Sequence, residues 1–171
     1  MRAKLVEIPS FRELYDMAPE ELKKYIDRCG DTPQSKTWHP EGDVCKHIKI
    51  VYNRARKSGD INLALAAFFH DMGKADVTRP HPTKPGAFPA HGHENVSARL
   101  VEKYSKWIEE FGADPEIVHY IVKSHMRIQQ IHKMRPVKRE RFQSEPHYKY
   151  VNQFTKYDDM SNLTKDELIT K

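Results

Sequence analysis

The sequence predicts an all-α protein, on three observations. Apolar residues recur at three- and four-residue steps in almost every segment, rather than alternating as in a half-buried strand. Ser10, Asp43, Asp60 and Asp114, residues that favour helix starts, stand before such segments. Gly30, Gly59, Gly73 and Gly112 close them. At 171 residues and 38% hydrophobic content, the chain suits one compact domain with a real core.

The elements follow in order. Ser10 and Glu13 have capping-box spacing, and a second short helix begins near Pro19 and runs through EELKKYIDRC to Gly30, so these two helices read as an N-terminal cover. DTPQSKTWHPEG is rich in turn formers and reads as loop, with Asp43 capping VCKHIKIVYNRARKSG. Asp60 caps INLALAAFFHDM, apolar enough to run buried on all sides through the core as far as Gly73. Between Ala75 and His91, Pro80, Pro82, Pro85 and Pro89 favour an ordered extended loop suited to bordering a site. HENVSARLVEKYSKWIEEFG reads as one helix striped by Leu100, Val101, Tyr104, Trp107, Ile108 and Phe111. Asp114 and Pro115 start EIVHYIVKSHMRIQQIHK, with Val118, Ile121, Val122 and Ile128 inward, followed by the basic KMRPVKRER. A last helix includes YKYVNQFTKYDDM with Val151 and Phe154 inward, and SNLTKDELITK is either a frayed tail or a short final helix.

Several classes are excluded. No run reaches the apolar length of a bilayer span, and MRAKLVEIPSFREL lacks the apolar stretch and cleavage site of a secretory signal, so a cytoplasmic protein is expected. Cys29 and Cys45 cannot build a multi-bridge scaffold, and without a CxxC pair a thiolate zinc site is not expected. A net charge of +5 suits an anionic substrate without demanding a nucleic-acid groove. Ten histidines in this length is the unusual feature.

His70 and Asp71 close the most apolar helix, directly before Gly73 and Lys74. Groups of this kind buried without partners cost several kcal/mol each, on the order of 2–7 for an unpaired polar group, and metal coordination is one remedy. His47 shares a stripe with Val44, Ile48 and Val51; His93 opens a stripe through Val96 and Leu100; His125 follows Val118, Ile121 and Val122. Asp158 stands four residues after Phe154 and seven after Val151, which places it inward, whereas Asp159 is left for solvent or a supporting role. One inward histidine is most simply a core residue bonded to a carbonyl. Five helices each directing such groups inward, with no lysine or arginine on the same stripes, point instead to divalent cations. Imidazole with carboxylate and no thiolate suits Mn, Fe, Co, Ni or Zn; Mg fits only if the carboxylates alone bind it.

In this order, a histidine, a His-Asp pair and a distal aspartate, the sequence resembles the HD-domain metal-dependent phosphohydrolases, through His47, His70, Asp71 and Asp158. Within them WHPEGDVCKH, LALAAFFHDMGKA and HGHENVSA look most like the HD domain attached to bacterial tRNA nucleotidyltransferases. The resemblance implies a bundle of about five core helices over residues 38–161, a helical cover over 1–37 and a tail over 162–171. It implies one ion on His47, His70, Asp71 and Asp158 and a second on Asp71, His93 and His125, with a bridging water or hydroxide attacking phosphorus. The paired-carboxylate catalytic domain of the nucleotidyltransferases has no counterpart in these residues, so nucleotide addition is not predicted.

Asp71 and Lys74 are the candidate catalytic residues, Lys74 also holding a phosphate oxygen, with Arg127 and His91 as further substrate contacts. His132 is an alternative to His125, and His81 is a second loop histidine placed to touch substrate. The expected substrate is a nucleotide or RNA end, as a 2′,3′-cyclic phosphate or a phosphomonoester. The alternatives are a (deoxy)nucleotide or dinucleoside polyphosphate, or a non-catalytic nucleotide- or RNA-binding module. Lys133–Arg141 offers weak nucleic-acid binding beside such a site.

Overall fold

In the computed structural model, which describes residues 7–169, eleven α-helices and two short 3-10 turns form the ordered structure, with no strand among the described residues. The first residues of the 1–37 cover and the last two of the 162–171 tail lie outside the described residues.

The N-terminal helices α1 (Phe11–Met17) and α2 (Glu20–Gly30) form where expected. Ser10 and Glu13 make the reciprocal capping box, with bonds of 3.0 and 3.1 Å. α3 (Val44–Lys57) starts at Asp43, whose Oδ1 accepts from the Lys46 amide at 2.9 Å. α4 (Ile61–Phe69) starts at Asp60. From Leu63 to Phe69 every residue of α4 is fully buried, because α3, α8 (Pro115–Ser124) and α10 (Tyr148–Asp158) pack around it. α6 (His93–Lys103) lies against α8 and completes the bundle. Cys29 and Cys45 are both free thiols. Among the described residues no helix is long and apolar enough to cross a membrane.

Four elements differ from the sequence expectation, each for a local reason. The Asp60-capped helix does not reach Gly73: it ends at Phe69, and His70 to Gly73 form a tight turn. The Gly73 amide leaves the helical ladder and donates to Ser97 Oγ of α6 at 2.8 Å. The segment expected to be all loop opens with one helical turn, α5 (Lys74–Val77), since no proline intervenes before Pro80. Beyond it the proline-rich chain is tied back on itself, Arg79 N to Pro89 O and His81 N to Ala87 O. The helix expected from His93 to Gly112 breaks at Tyr104 into α6 and α7 (Ser105–Glu110), and Trp107 packs against Phe68, Phe69 and Phe111.

The helix expected to continue to Lys133 stops at Ser124, where the His125 ring takes the Val122 carbonyl at 2.6 Å. A 3-10 turn follows over Ile128–Lys133, then α9 (Pro136–Gln143), so the basic stretch straddles both. Ile128, Phe142 and Val151 form a small satellite core beneath them. The tail adopts the helical alternative as α11 (Lys165–Leu168), capped reciprocally by Thr164 and Glu167.

Candidate metal centre

Two short chain features bring the His70-Asp71 pair to the N-terminus of α6. A Cβ added at Gly73 would lie 2.3 Å from the His93 carbonyl oxygen and 2.8 Å from Val96 Cβ, closer than atoms can approach. Only glycine permits this contact, which places Asp71 beside His93. Gly92 takes φ +79°, so the chain turns out of the proline-rich loop and α6 begins at His93.

The result is one buried cluster drawn from five elements. His47 (α3), His70 and Asp71 (the turn after α4), His93 (α6) and His125 (the end of α8) are all buried, and Asp158 ends α10 with a side chain 13% exposed. The Asp71 carboxylate divides it. Its Oδ2 faces His47 Nε2 at 3.2 Å and His70 Nε2 at 3.3 Å, and Asp158 Oδ1 completes that side at 2.9 and 3.3 Å from the same two nitrogens. Its Oδ1 faces His93 Nε2 at 3.0 Å and His125 Nε2 at 3.3 Å. The two donor sets that share Asp71 are His47, His70, Asp71 and Asp158 on one side and Asp71, His93 and His125 on the other.

The outer nitrogens explain why the inner ones point as they do. Nδ1 of His70, His93 and His125 lies 2.6, 2.9 and 2.6 Å from the carbonyls of Ala67, Ala90 and Val122. A carbonyl only accepts, so each Nδ1 carries the proton and, in the neutral ring, each Nε2 turns a lone pair inward. In that neutral form His93 and His125 would oppose bare nitrogens at 3.1 Å, and the Nε2 atoms of His47 and His70 lie 3.3 Å apart. Such pairs repel unless a proton or a cation stands between them. Imidazole lone pairs around a shared carboxylate are the donor set of a divalent transition metal, so the residues fit one.

The electrostatics agree. Burial opposes every charge in the cluster, yet the Asp71 and Asp158 carboxylates lift His70 up to about 10, and Asp158 and Glu41 raise His47. Against the same burial, His70 and Lys74 hold Asp71 well below the carboxylate range, and His70 and His47 do so for Asp158. At His125 burial prevails and the pKa falls. Asp71, Asp158 and Glu41 thus stand ionised around His70 and Lys74, and a divalent ion that displaced the His70 proton would take over the balancing of their charge.

Lys74 reaches the cluster: its Nζ lies 3.1 Å from Asp71 Oδ2 and donates to Gln34 Oε1 at 2.9 Å. Arg127 is engaged elsewhere, 2.6 Å from Glu145 and stacked 3.7 Å over the Phe142 ring. His91 is exposed, two residues before His93. His132 is exposed on the 3-10 turn, and His81 caps its own turn by accepting from the Thr83 and Lys84 amides. Asp159 points away, capping the turn at Ser161. Glu41 is missing from the sequence reading, although its carboxylate is fully buried and accepts from His47 Nδ1 at 2.8 Å and His39 Nδ1 at 2.9 Å. Its signal was the alternation His39-x-Glu41 just ahead of His47.

The family model of the HD domain matches residues 44–162. Among curated proteins, the chain is similar to the Multifunctional CCA protein of Herminiimonas arsenicoxydans, 39% identical over 94 residues, 52% of this chain and 19% of that protein. The protein of the same name from Methylobacillus flagellatus is 28% identical over 130 residues, 75% of this chain and 30% of its own. That of Alkalilimnicola ehrlichii is 35% identical over 91 residues, 52% and 21% respectively. The matched stretch is therefore less than a third of the length of these relatives. No solved structure matches the chain.

Proposed function

The chain belongs to the HD domain family, and from that premise we propose that it is a metal-dependent phosphohydrolase acting on a phosphate ester of a nucleotide or RNA end. The observation that carries the reading is the division of Asp71, with one oxygen serving each imidazole set.

His47, His70, Asp71 and Asp158 would hold one cation, and Asp71, His93 and His125 a second. Bound there, Mn, Fe, Co, Ni or Zn would supply a Lewis acid and bring the pKa of water down towards neutrality. The protein's own share is orientation and charge. The carbonyls of Ala67, Ala90 and Val122 fix three rings, so no rotation is needed when substrate arrives. Lys74, its side chain only 11% exposed, offers an ammonium at the cluster's edge to neutralise charge developing on a phosphate oxygen. Arg127 reaches phosphate only by giving up Glu145, so it ranks below Lys74. His91, exposed two residues before His93, is a further candidate to meet the substrate away from phosphorus.

The relatives named Multifunctional CCA proteins, and the likeness to HD domains of tRNA nucleotidyltransferases, support an RNA end or a nucleotide over a small phosphate ester. Lys138, Arg139 and Arg141 on α9 would add salt-sensitive attraction for a polynucleotide. The test is a panel of 2′,3′-cyclic, mono-, tri- and dinucleoside phosphates with Mn, Co and Ni added in turn. Metal-dependent release from the cyclic or monophosphate substrates, abolished in Asp71→Ala, is expected. Equal inactivity of wild type and Asp71→Ala, with metal bound to the wild type, would overturn hydrolysis in favour of a binding module.

A further inference from the structure

Three of the four central imidazoles share one device, and His47 departs from it. His70, His93 and His125 each direct Nδ1 at the carbonyl three residues earlier. They have access to those carbonyls because each sits at a helix boundary, where the ladder is interrupted. His47 lies within α3, whose carbonyls are committed along the helix, and its Nδ1 meets a side chain instead, Glu41 Oε1 at 2.8 Å.

That side chain is an expensive choice for orientation alone. The Glu41 carboxylate is fully buried, and its Oε2 has no hydrogen-bond partner. A neutral amide oxygen would also accept from Nδ1–H and orient the ring, and would avoid burying a charge. What an ionised carboxylate adds is negative charge behind the ring, which makes the opposite nitrogen a stronger donor to a cation. The His39 ring, packed edge-on at 5.0 Å from His47 and bonded to the same Oε1, limits where the carboxylate can swing.

We infer that Glu41 is a positioning residue for the metal centre: it keeps His47 protonated at Nδ1 and bare at Nε2, with Nε2 strengthened and aimed between Asp71 and Asp158. The inference rests on the metal-dependent reading of the same cluster, and its test separates the two. Zn(II) affinity is measured by competition with a chromophoric chelator, for wild type and Glu41→Gln. The ring N–H protons of both Zn(II)-loaded proteins are followed by 1H–15N NMR, with the His47 proton assigned by its absence in His47→Gln. The expected result is about a tenfold or greater loss of affinity for one Zn(II) in Glu41→Gln. The His47 Nδ1 proton moves upfield while those of His70, His93 and His125, bonded to backbone, stay in place.

Affinity within twofold of wild type with an unmoved His47 proton overturns the inference and leaves the metal reading standing. Equal movement of all four protons overturns it as well, since that reports general loosening. A wild type that takes up no Zn(II) removes both readings. If Glu41→Gln does not fold, the wild-type spectrum decides: the carboxylate-bonded His47 proton must lie downfield of the three carbonyl-bonded ones, and its absence there rejects the role.

Discussion

The two oxygens of Asp71 look onto surroundings built in different ways. On the Oδ1 side, His93 and His125 are oriented only by carbonyls of their own helix ends, Ala90 and Val122. On the Oδ2 side, His47 is held by Glu41, and Asp158 belongs to a helix end clasped by Arg54. Arg54 donates to the carbonyls of Tyr157 and Asp159, on either side of Asp158, and pairs bidentately with Glu167 of α11 at 2.6 and 2.8 Å. The first side depends on how α6 and α8 are placed as bodies, so backbone packing governs it. On the second only His70 is held in that way, by Ala67, while His47 and Asp158 depend on side chains sent from elsewhere, so single charges tune it.

The comparison breaks most completely where the sides meet. Asp71→Asn removes the shared charge, and metal-dependent turnover is expected to fall about a thousandfold, on the order of 4 kcal/mol of transition-state stabilisation, measured as kcat/KM with bound metal counted in parallel. Gly73→Ala strikes the backbone-governed side. Its methyl must push the His93 carbonyl away, an overpacking cost of about 2–3 kcal/mol that lowers Tm by roughly 5–10 °C in calorimetry. Metal should be lost first from the side of His93 and His125. His125→Ala sharpens the contrast: bound metal per chain is expected to drop from about two to about one, because His47, His70, Asp71 and Asp158 remain.

The smallest effect tests the clasp. Arg54's hydrogen bonds, against a lesser opposing effect of burial, bring Glu167 from the ordinary 4.5 down to about 2. The folded protein thus keeps this carboxylate ionised at pH values where the unfolded chain is protonated. The pair's contribution, about 1 kcal/mol, is complete above pH 4.5 and disappears as the pH falls through about 2. Thermal unfolding of Glu167→Gln against wild type should therefore differ at pH 6 and converge towards pH 2.

How far the sequence foretold this site depends on what kind of signal each residue left. Helical spacing gave the inward direction of His47, His93, His125 and Asp158, because a stripe of buried neighbours leaves little freedom to a residue on it, and His70 followed from its place at the end of an all-apolar helix. It also separated Asp158 from Asp159, which a continuing helix would turn about 100° away and which in the structure leaves the helix to cap the next turn. Spacing was silent on where helices stop. The break after Phe69 depends on Ser97 capturing the Gly73 amide, and the end at Ser124 on a ring capturing a carbonyl. Both are contacts that no one-dimensional pattern contains. Glu41 was hidden for a related reason: it sits in a turn-rich segment with no periodicity to give it a direction, and its burial and its bond to His47 reveal its part. Arg127 shows the reverse, its place two residues after His125 suggesting the site while Glu145 and Phe142 hold it aside.

The claim that one carboxylate serves two cation sites is tested most directly by a crystal grown with Mn(II) and anomalous data collected at the Mn absorption edge. The account predicts two peaks, one on each side of Asp71, within coordination distance of His47, His70 and Asp158 and of His93 and His125. No peak at the cluster, or peaks only among surface carboxylates, would contradict it.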